Sequence, residues 1–312
     1  MIFYIHSLGC TKLEQNQTGA GVRQAGDRSL KNVSSGASSR TILSIFKKDK
    51  VAIGVVHCPP FGGSPRYSGT AFTEIRDAAV RDAVAYAAGG IDGLIIENHG
   101  DVPFLRPSDI GPETSAFMTA IARDAHAETG LPFGINVLAN APLHAFAVAA
   151  ASGAAFIRVN QWANAYVANE GLLDGEAARA LRYRRSIGAD AVAVFADSHV
   201  KHGAHAITGD RSVTELTRDL EFFDADAVIA TGQRTGDAAT DEELETITEA
   251  TSLPVLVGSG VTAENVGRIF ARARGVIIGS SLKRGGVWWN EVERERVASF
   301  MHRVRAFRGG QI

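Results

Sequence analysis

The 312-residue chain carries 32 Lys and Arg against 34 Asp and Glu, a formal net charge of −2, with 45% hydrophobic residues. That length and composition hold one large α/β core, and the near-neutral charge gives no global attraction to nucleic acid or to an anionic membrane. The two cysteines, Cys10 and Cys58, make neither a disulfide framework nor a metal-binding spacing, so a reducing cytoplasm is the expected location.

Residues 1–49 differ from the rest: they are rich in Ser, Gly, Asn and Gln, carry a basic excess and lack periodicity between Thr11 and Arg40. They read as a disordered extension or a start assigned too far upstream, with a single domain over 50–312 and a short helix at Ile42 to Phe46 leading into it. Met1 to Leu8 has no preceding basic region, which argues against a secretory signal. No apolar run approaches the roughly 20 residues of a transmembrane helix.

From Val51 onward strand and helix patterns alternate. Strands are expected at Val51 to Val56, Gly93 to Ile96, Phe133 to Leu138, Ala155 to Val159, Ala191 to Ala196, Ala227 to Ala230, Pro254 to Val257 and Val276 to Ile278. Between and after them, Phe72 to Ala88, Glu113 to Thr129, Leu143 to Ser152, Gly175 to Ile187, Ser212 to Phe223, Asp241 to Ala250, Ala263 to Ala271 and Asn290 to Phe307 fit helices. Ser212 with Glu215, and Thr262 with Asn265, have the spacing of helix starts. Eight β/α repeats predict a closed (β/α)8 TIM barrel. An open doubly wound sheet would want a glycine fingerprint where His57-Cys58-Pro59-Pro60-Phe61 stands.

Barrel sites form at the C-terminal ends of strands. Gly258-Ser259-Gly260 and Gly279-Ser280-Ser281 follow the last two strands, where small residues let backbone N–H groups approach an anion, so a phosphorylated ligand is expected there. The polar residues after earlier strands then become candidates. Glu97 is a candidate general base, its carboxyl raised by burial, or an ion-pair partner of Arg158. Asp197 and His199 share a face if the chain stays extended, as an acid/base pair or as metal ligands. Lys201 on the same face is a Schiff-base nucleophile, a phosphate partner or half of an ion pair. His57 donates to a substrate oxygen, binds metal or is structural, whereas His99, His202 and His205 read as solvent-facing.

Asn136, Arg158, Asn160, Thr231 and Gln233 suit recognition of hydroxyls or a carbonyl, or tie loops together. No cofactor is required. A divalent metal remains open through Asp101, Asp197 and His199, with Glu97 nearby. Lys283 and Arg284 either add to phosphate binding or solvate a loop, and Trp288-Trp289 is expected under the final helix or at a subunit contact.

The strings IGVVHCPPFGGSPRY (Ile53 to Tyr67), DGLIIENHGDVPF (Asp92 to Phe104), FIRVN (Phe156 to Asn160), FADSHVKH (Phe195 to His202), PVLVGSGVTAENV (Pro254 to Val266) and GSSLKRGG (Gly279 to Gly286) resemble the BtpA/SgcQ family, in its order and from Lys50 to Phe307. The resemblance implies a barrel like those of the ribulose-phosphate-binding group. It links some members to photosystem I biogenesis or stability and others to sugar or nucleoside metabolism. This chain has Ala139-Asn140-Ala141 where the family commonly has Arg-Asn-Asp, and Asn169-Glu170 where it has Asp-Gln, so substrate identity does not transfer. Two functions follow as expectations: an isomerase-, lyase- or aldolase-type enzyme acting on a phosphorylated small molecule, or a biogenesis factor with a membrane complex as client. Homo-oligomerisation is compatible with either.

Overall fold

The computed structural model describes residues 40–200, 203–232 and 239–310. Its strands are β1 (Val51–His57), β2 (Gly93–Glu97), β3 (Phe133–Asn136), β4 (Phe156–Val159), β5 (Ala165–Ala168), β6 (Gly171–Asp174), β7 (Ala193–Asp197), β8 (Ala227–Ala230), β9 (Val255–Val257) and β10 (Gly275–Ile278). All but β5 and β6 pair in parallel around a closed barrel in the order β1-β10-β9-β8-β7-β4-β3-β2. This is the expected TIM barrel. Antiparallel β5 and β6 form a hairpin inserted between β4 and its helix, where the sequence pattern predicts no element.

The outer helices are α2 (Phe72–Gly89), α3 (Pro112–Thr129), α4 (Pro142–Ser152), α5 (Ala177–Ser186), α6 (Val213–Phe222), α7 (Asp241–Ala250), α8 (Val266–Arg272) and α9 (Arg294–Arg308), preceded by the short α1 (Ile42–Phe46). Ser212 caps α6 through the Glu215 N–H at 3.2 Å, as its spacing predicts. The start of α8 uses the same residues in the opposite sense: the Asn265 side chain accepts from Thr262 N–H at 2.8 Å. Among the described residues no helix is long and apolar enough to cross a membrane.

Alternation along the strands separates two cores. Ala52, Val56, Leu94, Ile96, Val194 and Ala196 pack outward against the helices. Val51, Ile53, Val55, Ile95, Phe156, Phe195, Ile229, Leu256 and Ile277 fill the interior. Ile42 and Phe46 of α1 join that inner cluster, and the Phe46 ring lies 5.8 Å from that of Phe156. With one end filled by apolar side chains, the polar chemistry is confined to the other.

Candidate functional site

Two residues beyond the inner apolar layer, each strand presents its next inward position at the C-terminal end. Those positions are His57 after Val55, Glu97 after Ile95, Arg158 after Phe156, Asp197 after Phe195, Thr231 after Ile229, Gly258 after Leu256 and Gly279 after Ile277. Asn136 completes the ring, since the β-ladder sets His57 beside Glu97 and Glu97 beside Asn136. The ring is therefore charged and amide-bearing over most of its arc and bare at two glycines.

Those glycines keep the mouth open. A Cβ on Gly258 would stand 2.6 Å from Ile229 and 3.6 Å from the Arg158 guanidinium, and one on Gly279 would stand 3.1 Å from the His57 ring. Gly258 to Gly260 and Gly279 to Ser281 line one cavity of about 970 Å³, together with His57, Glu97, Asn136, Arg158 and Asn160. Ser281 Oγ donates to the Val261 carbonyl at 2.9 Å and fixes the two small-residue turns to each other.

The cation beside these turns is one the sequence reading missed. Arg296, at the start of α9, lines the cavity, lies 3.5 Å from the Ser281 carbonyl and pairs through Nε with Glu293. Lys283 and Arg284 are engaged elsewhere: Lys283 is buried against Asp82 at 2.9 Å, and Arg284 pairs with Glu291. Glu264 and Glu295 also border the opening, so the wall beside Arg296 is of mixed charge and not broadly basic.

Glu97 is 5% exposed. Its Oε2 accepts from Asn136 Nδ2 at 2.8 Å and its Oε1 lies 2.7 Å from His99 Nδ1. Burial pushes this carboxyl up, but the His99 hydrogen bond and the charges of His99, His57 and Arg158 outweigh it and hold Glu97 below the ordinary carboxylate range. The expected upward shift is thus corrected. His57 Nδ1 lies 3.0 Å from the Trp288 carbonyl, which can only accept, so the proton sits on Nδ1 and the lone pair is left on Nε2. Burial lowers the His57 pKa to about 3, against the pull of Glu97.

His99 is likewise corrected from a solvent-facing residue to part of the site. The chain leaves β2 in a one-turn 3-10 helix, His99–Asp101, that folds the ring back over Glu97 and edge-on to Trp288 at 4.4 Å. Trp288 lines the cavity, as do Arg296, Ser299 and Phe300 of α9, while Trp289 is 68% exposed.

The Asp197 and His199 pairing is not found. Asp197 accepts from Arg158 Nε at 3.1 Å, Arg158 Nη2 at 3.0 Å and Asn160 Nδ2 at 3.1 Å. His199 follows the end of β7, where the extended conformation stops, and its ring packs 4.0 Å from that of His205. Asp101 is turned away, accepting from Phe61 N–H at 2.8 Å and Asn98 Nδ2 at 3.1 Å. The expected ligand set Asp101, Asp197 and His199 is therefore not assembled. Among the described residues, the one group of three acid, His or Cys side chains close enough to share an ion is His57, Glu97 and His99. Thr231 donates to the His199 carbonyl at 2.9 Å and so braces a loop. Lys201 and Gln233 lie outside the described residues.

A sequence model of the BtpA family matches residues 48–306. An uncharacterized protein of Archaeoglobus fulgidus is 42% identical over 261 residues, covering 84% of this chain and 100% of the relative. The photosystem I biogenesis protein BtpA of Synechocystis is 38% identical over 261 residues, covering 83% and 90%. Among solved structures, thiamine phosphate pyrophosphorylase from Pyrococcus furiosus superposes with a TM-score of 0.51 at 14% identity, over 83% of this chain and 96% of that one, a likeness of fold. The match across nearly the whole barrel and the retained identity with these relatives establish that the chain belongs to the BtpA family.

Proposed function

We propose that the barrel mouth binds a phosphorylated sugar or nucleoside-derived small molecule and converts it by proton transfer, as an isomerase-, lyase- or aldolase-type enzyme of the cytoplasm. The observation that carries this reading is the division of one cavity into an open glycine arc and a polar arc. The tied turns at Gly258 to Gly260 and Gly279 to Ser281 suit a phosphate, with Arg296 beside them. Across the cavity, the buried carbonyl oxygens Asn136 Oδ1 and Asn160 Oδ1 have no hydrogen-bond partner among the described residues. Both residues line that cavity, and because buried acceptors left unmatched are costly, the two amides suit the hydroxyl donors of a sugar. Glu97, His57 and His99 form the ionisable face against which the reacting part of the ligand would lie.

A thermal-shift series tests this. Ribose 5-phosphate, fructose 6-phosphate or AMP is expected to raise the melting temperature where free ribose does not. Gly258→Asp and Arg296→Glu are expected to abolish the shift. Because a side chain at Gly258 collides with Ile229, the partly exposed Arg296 supplies the variant that keeps the fold. Equal stabilisation by unphosphorylated sugars, or none by any phosphate ester, overturns the reading.

The name of the Synechocystis relative favours a second reading, a non-catalytic factor whose barrel serves a membrane complex. Stoichiometric recovery of such a complex from the native host, undisturbed by the mouth substitutions, would decide for it.

A further inference from the structure

We propose that His57, Glu97 and His99 form a site for one divalent first-row transition ion of the zinc class, set in the wall of the cavity with its open coordination positions facing the bound ligand. The ligand atoms of the three residues all lie within 4.8 Å of one another. Zinc holds nitrogen and oxygen at roughly 2.0–2.2 Å, so small side-chain rotations close the site without moving the strands. The donors are two imidazoles and one carboxylate, which suits zinc and its neighbours better than magnesium or calcium, whose sites are built from oxygen.

The surroundings orient each donor. His57 gives its Nδ1 proton to the Trp288 carbonyl at 3.0 Å, the arrangement in which a histidine offers Nε2 to a metal. Glu97 is steadied through Oε2 by Asn136 Nδ2 at 2.8 Å, while Oε1 lies 2.7 Å from His99 Nδ1. An ion would occupy the place of the proton shared by that last pair. Two further features point to an ion with a bound water or ligand oxygen. Asn136 is 1% exposed, lines the cavity and has an unpartnered Oδ1, an acceptor for a metal-bound water. Gly279 removes the side chain that would otherwise begin 3.5 Å from His57 Nε2, leaving the approach clear. Trp288 and Phe104 stand edge-on to His99 and wall the site.

Ion binding stands on this triad alone. Its part in catalysis, polarising a carbonyl or hydroxyl oxygen of the phosphorylated ligand, rests on the function proposed above.

The test uses full-length protein stripped with a chelator and titrated calorimetrically with zinc chloride, without any sugar phosphate. One zinc per chain is expected, with affinity falling at least about 100-fold in His57→Ala and in His99→Ala. His126→Ala, which removes a remote surface imidazole, should bind as the native protein does, and magnesium chloride should not compete. Cobalt(II) should give a visible ligand-field spectrum that His99→Ala loses, with the fold of each variant checked by circular dichroism. Absence of saturable zinc binding by the native chain, or unchanged affinity in both histidine variants, overturns the site. Neither result bears on phosphate binding, which the thermal-shift series measures separately.

Discussion

Arg158 grips Asp197 with two parallel hydrogen bonds, Nε to Oδ1 at 3.1 Å and Nη2 to Oδ2 at 3.0 Å, and both side chains are buried. Burial works against the guanidinium charge, but Asp197 and then Glu97 raise the Arg158 pKa further. The pair joins β4 to β7 beneath the cavity and gives Arg158 one orientation. Removing only the acid leaves a buried cation unpaired, so Asp197→Ala is expected to cost about 3–5 kcal/mol in urea unfolding. Replacing both residues by apolar ones should recover much of that loss. Wild-type stability in Asp197→Ala would show that solvent already reaches the pair.

The His199 imidazole is held below its ordinary pKa, first by burial and then by the charge of His205. Between the folded and unfolded values the unfolded chain binds more protons, so stability rises with pH there. The folded state should therefore lose stability as pH falls below the ordinary histidine value of 6.5. In His199→Gln the melting temperature should decline less between neutral and mildly acidic pH than in the native protein. An identical decline would remove His199 from the linkage.

Gly134 tests the inner packing. A Cβ there would stand 2.2 Å from the Phe156 ring, which itself stacks on Phe195 at 4.4 Å. Since the ring cannot retreat without displacing Phe195, Gly134→Ala is expected to lose about 1–3 kcal/mol by chemical denaturation. An unchanged midpoint would mean that the barrel interior has slack.

Asn160 separates the sugar from its phosphate. Its unpartnered Oδ1 is proposed to accept from a ligand hydroxyl, a hydrogen bond worth about 1–1.5 kcal/mol. Asn160→Ala should therefore weaken ribose 5-phosphate roughly tenfold by calorimetry while leaving inorganic phosphate unchanged. Equal weakening of both ligands would mean that Asn160 acts through Asp197, which it also contacts at 3.1 Å.

The β/α alternation was legible because each barrel strand is a nearly continuous apolar run and each helix repeats at its own period. The hairpin from Ala165 to Asp174 escaped because its burial is mixed, with no continuous apolar run to mark its strands. Much of the inward ring was legible for a related reason: along a strand, side chains alternate, so His57, Glu97, Arg158 and Asp197 could be placed on the mouth from strand ends alone. His99 could not, although it stands two residues after Glu97, because β2 ends at Glu97 and a turn, not a strand, aims its ring. The same spacing misled in Asp197 and His199, where β7 ends at Asp197.

By itself, the sequence determined the barrel, its two small-residue turns and the inward ring, since these follow from local periodicity and from backbone that only small residues permit. Tertiary structure decided the partners: Arg158 for Asp197, His99 for Glu97, Trp288 for His57, Asp82 for Lys283. Charge and hydrogen bonding act between atoms brought close by closing the barrel, and apart from His99 and Glu97 those atoms belong to residues far apart along the chain.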